Sequence, residues 1–159
     1  ELRGMDKTAL VGHLAAWNYY QSVDTPQNKQ FVAGFKAYCK KNNLPDGDKR
    51  VTDDPIEAAY FGVHVWKQAV QKAGSIEVDK VRQAVYGQKF LAPGGEIMMD
   101  AGNHHTHKPV LIGEILKDGQ FKVVSRSKGL VKPEPWSEYT SPDKGCDWIS
   151  HQGTYSKKV

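Results

Sequence analysis

Residues 51–74 read as one complete helix with both ends written into the sequence. Asp54 stands as the N-cap, and Pro55 fits the first helical position because its missing N–H has no partner there anyway. Glu57 is spaced to complete a capping box by reaching back toward the cap. Gly74 closes the segment by taking a left-handed C′ conformation. Between these ends Ile56, Ala59, Tyr60, Val63, Trp66, Val70 and Ala73 recur at helical steps, which predicts one apolar face. Such a face must pack against something larger, and the expected layer is a mainly parallel sheet.

The remaining chain gives enough material for one core. It has 159 residues, 39% of them apolar and 25% charged, within the size range of an ordinary domain. Its apolar runs are a handful of residues long, against the roughly 20 needed for a membrane-spanning helix. The net charge is +4, but the 22 basic and 18 acidic residues are interspersed and form no arginine stripe. That pattern predicts a mixed-charge, solvated surface with no nucleic-acid partner. Cys39 and Cys146 are too few and too unpatterned for a disulfide framework or a zinc site, and their pairing is not written in the sequence. The chain opens at Glu1 without a methionine or signal segment, which suggests a piece of something longer.

Residues 1–10 read as the end of a helix, and residues 11–16 as a short strand of the kind buried in a parallel sheet. Thr25 caps a second helix with Pro26 in its first turn and Phe31, Val32, Phe35, Tyr38 and Cys39 on its apolar side. Residues 41–48 form a turn-rich loop. Val78, Val81, Ala84 and Val85 mark a short third helix ending near Gly87. Pro93, Gly94 and Gly95 turn into a strand over residues 96–100. Residues 109–116 and 121–124 flank Asp118-Gly119, a strong hairpin signal. From Lys132 onward the chain has prolines and no periodicity, and should wrap the surface or move. Together these elements give an α/β or α+β layout.

Three constellations bear on chemistry. Asp100 precedes His104, His105 and His107, which on an extended segment could bind a transition metal; histidines in a polar loop more often serve as hydrogen-bonded anchors, and no metal is expected. No Gly-x-Ser-x-Gly turn or phosphate-binding glycine loop occurs, and Cys39 reads as a buried inert thiol, so no catalytic residue is expected. Trp17, Tyr19 and Tyr20 directly follow the first strand, where an open α/β sheet binds ligands. The same cluster would serve equally as packing between lobes. Tyr60 in the second turn of the long helix divides in the same way, between ligand wall and core filling.

Four separated blocks carry a resemblance: residues 12–26, residues 51–60, Asn103-His104-His105 before Lys108-Pro109-Val110, and Asp118-Gly119-Gln120-Phe121. In order and spacing they resemble the C-terminal portion of the urea-type substrate-binding proteins of bacterial ABC transporters. Pro133-Glu134-Pro135-Trp136 and Cys146-Asp147-Trp148 resemble that family too. Wider relatives are the branched-chain amino-acid binders and the amide-sensing regulators.

The resemblance implies an α/β, partial type I periplasmic-binding fold, with two Rossmann-like lobes joined by hinge crossings and only part of each present. Residues 1–23 would be the end of one lobe and a hinge crossing, and residues 24–108 part of the other lobe. Residues 109–125 would return to the first lobe as a hairpin, and residues 126–159 form an extended tail. By the same resemblance Tyr60 matches a ligand-facing tyrosine, and Trp17 and Tyr19 sit at the cleft mouth. The implied function is capture of urea or a short-chain amide by lobe closure, in the periplasm or another extracytoplasmic space, without a cofactor. Delivery would be to a membrane permease. Alternatives are an amide-sensing regulator, a branched-chain amino-acid binder, and, from a different class, a metal-dependent enzyme built on His104, His105 and His107.

Overall fold

The computed structural model describes residues 2–134. Two three-stranded sheets organise it, and all their ladders are antiparallel. The chain opens with a 3-10 turn at Leu2–Gly4 in place of the expected helix end, and turns at Lys7 lead into β1 (Leu14–Trp17). After a crossing come α1 (Pro26–Lys41), a 3-10 turn at Gly47–Lys49, α2 (Asp54–Ala73) and α3 (Val78–Val85). Then follow β2 (Lys89–Ala92), β3 (Gly95–Met99), β4 (Thr106–His107), β5 (Leu111–Ile115) and β6 (Phe121–Arg126). The strand orders are β1-β5-β6 and β2-β3-β4.

The first strand departs from expectation. It starts later, at Leu14, because Gly12 at φ +85° breaks the extended run, and it pairs antiparallel with β5, Ala15 opposite Gly113. It is also largely exposed, Leu14 at 64% and Trp17 at 50%. An apolar run of six residues cannot by itself tell a buried parallel strand from the open edge of an antiparallel sheet.

α1 follows its sequence signals closely. Thr25 accepts a hydrogen bond from the Asn28 amide at 3.0 Å, Pro26 lies in the first turn, and Phe31 and Cys39 are buried. Cys39 is a buried thiol with no disulfide partner among the described residues; Cys146 lies outside them. Tyr38, assigned to the apolar side, is exposed.

α2 is present over the expected span, and Gly74 ends it at φ +59°. Two details differ. The cap is Asp53, one residue earlier, whose carboxylate accepts from the Ile56 amide at 2.9 Å. More consequentially, the buried row is Glu57, Phe61, Val65 and Ala69, whereas Tyr60, Val63 and Trp66 on the expected face are exposed. Apolar residues surround much of this helix, so its orientation turns on where Glu57 goes. A capping-box glutamate would face solvent; here Glu57 is fully buried and bonded elsewhere, which rolls its row inward.

Against that row pack Ala92 and Ile97 from the β2–β3 hairpin, with Ala58, Val85, Phe90 and Met99 at the margin. α2 therefore lies on a short antiparallel sheet, not a parallel layer, among the described residues. β2 carried too little pattern to be foreseen: it has four residues and pairs through the tight turn at Pro93 and Gly94. A second core joins Tyr20, Val23 and Leu111, flanked by Phe121 and Val123 from the hairpin. Tyr20 stacks on Phe121 at 4.4 Å and donates to the Ala15 carbonyl at 2.6 Å. The Asp118-Gly119 hairpin forms as its sequence requires, Gly119 at φ +83° and Asp118 accepting from the Gln120 amide.

Candidate functional site

The buried polar side chains of the described residues, Asn28, Thr52, Glu57 and Lys108, gather where the chain passes between its two sheets. Polar groups are buried where hydrogen bonds replace water, so each should have a partner. They do. The Tyr19 hydroxyl donates to Asn28 Oδ1 at 2.7 Å and shares a second hydrogen bond with the Thr52 hydroxyl at 2.8 Å. Asn28 Nδ2 donates to the Gln21 and Val23 carbonyls at 2.8 and 2.7 Å, and the Thr52 amide donates to Gln21 Oε1 at 2.9 Å. Burial pushes the Tyr19 phenol up, partly offset by its bond to Thr52, with the Glu57 and Asp53 carboxylates pushing further upward. The group stays a protonated donor.

Glu57 forms the second half of this centre. Its Oε1 accepts from the Gly94 amide at 2.7 Å and its Oε2 from Lys108 Nζ at 2.8 Å. Lys108 Nζ also reaches Asp54 Oδ1 at 2.6 Å and lies 5.1 Å from the Phe61 ring centroid, a cation–π contact. A Cβ on Gly94 would stand 2.9 Å from Glu57 Oε1 and 3.4 Å from the Tyr19 ring, so glycine is what allows the approach. The Gly94 carbonyl accepts from Arg126 of β6, and the Asn18 amide group donates to the Pro109 carbonyl. Both sheets thus converge on one turn and one crossing.

The sequence-predicted site residues are placed as follows. Tyr19 is buried, with its hydroxyl committed to Asn28 and Thr52. Tyr60 is 41% exposed on α2, between Phe31 at 4.8 Å and His64 at 4.7 Å. Phe31 also meets Tyr19 edge-on at 6.4 Å, so one ring bridges the two tyrosines. Trp17 ends β1, half-exposed. Of the loop histidines, His107 Nε2 meets Asp100 Oδ2 at 2.8 Å, His104 stacks on Tyr86 at 4.4 Å, and His105 is exposed. Asp100 Oδ1 takes the Gly102 and Asn103 amides. The Gly102 amide first, then the His107 imidazole, hold the Asp100 carboxyl below the usual carboxylate range. No three metal-binding side chains gather among the described residues.

Sequence reasoning missed Glu57, Lys108, Asn28 and Thr52. One signal was available: Glu57 heads the four-residue series Phe61, Val65, Ala69, so a rolled helix would bury it. Its partner lies 51 residues away and has no local signature.

Among known proteins, the family described as "Periplasmic binding protein domain" matches residues 1–142. A Geobacillus stearothermophilus protein named limonene hydroxylase is 31% identical over 125 residues, which are 79% of this chain and 22% of that protein. The Leu/Ile/Val-binding protein homolog 6 of Brucella abortus is 27% identical over 124 residues, 76% of this chain and 30% of that protein. A solved solute-binding protein of an ABC transporter from Rhodopseudomonas palustris HaA2, in complex with p-hydroxybenzoic acid, superposes with a TM-score of 0.64 at 27% identity. That superposition covers 78% of this chain and 33% of the solved one. The chain therefore spans a third or less of the length of these proteins. Among the described residues no helix is long and apolar enough to cross a membrane. With a type I periplasmic-binding α/β fold and a family match over most of its length, the chain belongs to the periplasmic binding protein domain family.

Proposed function

We propose that the intact protein is the substrate-binding component of an ABC importer, which captures a small solute by closing two lobes and delivers it to a membrane permease. One observation carries this. The chain leaves the β1-β5-β6 sheet after Trp17, builds α1 to α3 and the β2-β3-β4 sheet, and returns through Lys108 and Pro109 to pair β5 with β1. Two bodies joined by crossings can rotate about them, which is hinge closure. Residues 1–23 and 109–126, one residue past the expected bound because β6 ends at Arg126, then form part of one lobe and residues 24–108 part of the other; the tail expected over residues 126–159 lies, beyond residue 134, outside the described residues. The protein works in the periplasm or another extracytoplasmic space and performs no covalent chemistry. The activity named for the Geobacillus relative is not carried over, because the match covers 22% of it.

Tyr60, Trp17 and Tyr19 are the proposed ligand-facing residues. Tyr60 and Trp17 keep exposed ring surface for the purpose. With its hydroxyl engaged, Tyr19 would offer only ring surface. The proposed ligand is urea or a short-chain amide, on the sequence resemblance. The Brucella relative's name favours a second ligand, a branched-chain amino acid. Calorimetry of the intact protein with urea, acetamide, leucine and p-hydroxybenzoate separates them. Saturable heat with urea or acetamide is expected; saturation by leucine or p-hydroxybenzoate with none by the amides rejects the ligand.

A further inference from the structure

We propose that Glu57 and Lys108 are a positioning pair that fixes the resting separation of the two bodies by pinning the return crossing to α2; this rests on the two-lobed assignment above. The Glu57 side chain is fully buried and that of Lys108 is 10% exposed. An ion pair taken this far from water gains little net stability over an apolar pair of similar volume, so its use here is better sought in the geometry it imposes.

That geometry is specific. Glu57 sits in the first turns of α2, Gly94 in the β2–β3 turn, and Lys108 immediately before Pro109 in the segment leading to β5. Each carboxylate oxygen of Glu57 has its own donor, one from the turn and one from the crossing. The ammonium is divided between Glu57 and Asp54 with the Phe61 ring beneath it. The Lys108 backbone is held as well, its carbonyl accepting from the Val131 amide at 2.9 Å. Val110 exchanges bonds with Ser127 just beyond β6, its carbonyl accepting from the Ser127 amide and its amide donating to the Ser127 hydroxyl. The crossing is thus held to the segment after β6 through its backbone and to α2 through the Lys108 ammonium, so rotation of the β1-β5-β6 body relative to α2 strains the ion pair. Without the charge pair, the crossing keeps its path but loses its fixed angle.

The test uses the intact protein without ligand, carrying Cys146→Ser and spin labels at the exposed positions Ala37→Cys on α1 and Lys122→Cys on β6. Pulsed electron resonance then reads the distribution of distances between the bodies. Lys108→Met strands a buried carboxylate and is compared with Glu57→Gln/Lys108→Met, which leaves no unpaired charge at position 57 while the substituted amide keeps an acceptor for the Gly94 N–H. The double variant is expected to fold, with a far-UV spectrum like the parent's, and to widen the distance distribution at least twofold. A folded double variant with the parent's narrow distribution overturns the proposal, even where Lys108→Met alone unfolds, because the pair would then serve stability only. Since no ligand is present, failure of the ligand assignment in calorimetry leaves this result untouched.

Discussion

Replacing Tyr19 by phenylalanine removes one oxygen from the buried centre and leaves the ring. Two hydrogen bonds go with it, to Asn28 and Thr52. Thr52 retains a contact to Gln21 Oε1 at 3.4 Å, so its hydroxyl can turn. Asn28 Oδ1 is worse placed: the residue is 1% exposed, its amide nitrogen is already committed to two carbonyls, and Tyr19 is the donor to its oxygen. An unsatisfied buried acceptor costs about 1–3 kcal/mol, so a local loss of about 2 kcal/mol is expected. At about 1.4 kcal/mol per factor of ten, that is roughly a 30-fold loss of protection against hydrogen exchange. The amides to follow are those of Asn28 and Thr52, in the intact protein near neutral pH. Protection within about threefold of the parent's would refute the reasoning, since the hydroxyl would then not be holding α1 to the Thr52 segment.

The same residue predicts an alkaline effect. Burial raises the Tyr19 and Tyr20 phenols, so above pH 10 or so the unfolded chain releases protons that the folded one keeps, and stability falls as pH rises. Tyr19→Phe should flatten that alkaline limb in thermal unfolding, and an unchanged slope would count against it. Gly94→Ala puts a methyl against a pinned carboxylate and should destabilise by about 1–3 kcal/mol, read as a lower melting temperature; an unshifted melting point would mean the turn yields freely. Ile97→Ala removes a residue 1% exposed from the contact of α2 with the hairpin and should cost about 2–5 kcal/mol by denaturant unfolding, with a loss under about 1 kcal/mol contradicting the packing. Tyr60→Ala in the intact protein should weaken solute binding at least about tenfold by calorimetry, or about 1.4 kcal/mol. Unchanged affinity returns Tyr60 to packing between Phe31 and His64.

What could be seen in the chain beforehand was whatever local chemistry decides. Thr25 and Pro26 start α1, Gly74 stops α2, and Asp118-Gly119 turns the hairpin, because each acts on backbone within a few residues. What escaped depended on partners far along the chain. The roll of α2 is set by Glu57 finding Lys108, and an acidic residue three positions past a cap looks locally like a capping box. Whether β1 lies parallel and buried or antiparallel at an edge is set by β5, nearly a hundred residues later. Tyr19 was visible as a residue beside the crossing, but its partners Asn28 and Thr52 were not, since amides and hydroxyls carry no periodic signature.

Small-angle X-ray scattering of the intact protein, with and without the solute that calorimetry identifies, tests the central claim most directly. Closure of two bodies about their crossings predicts a smaller radius of gyration at saturation and a more compact distance distribution. Saturable binding with superimposable scattering curves would contradict it, because the solute would then be held without the lobes moving.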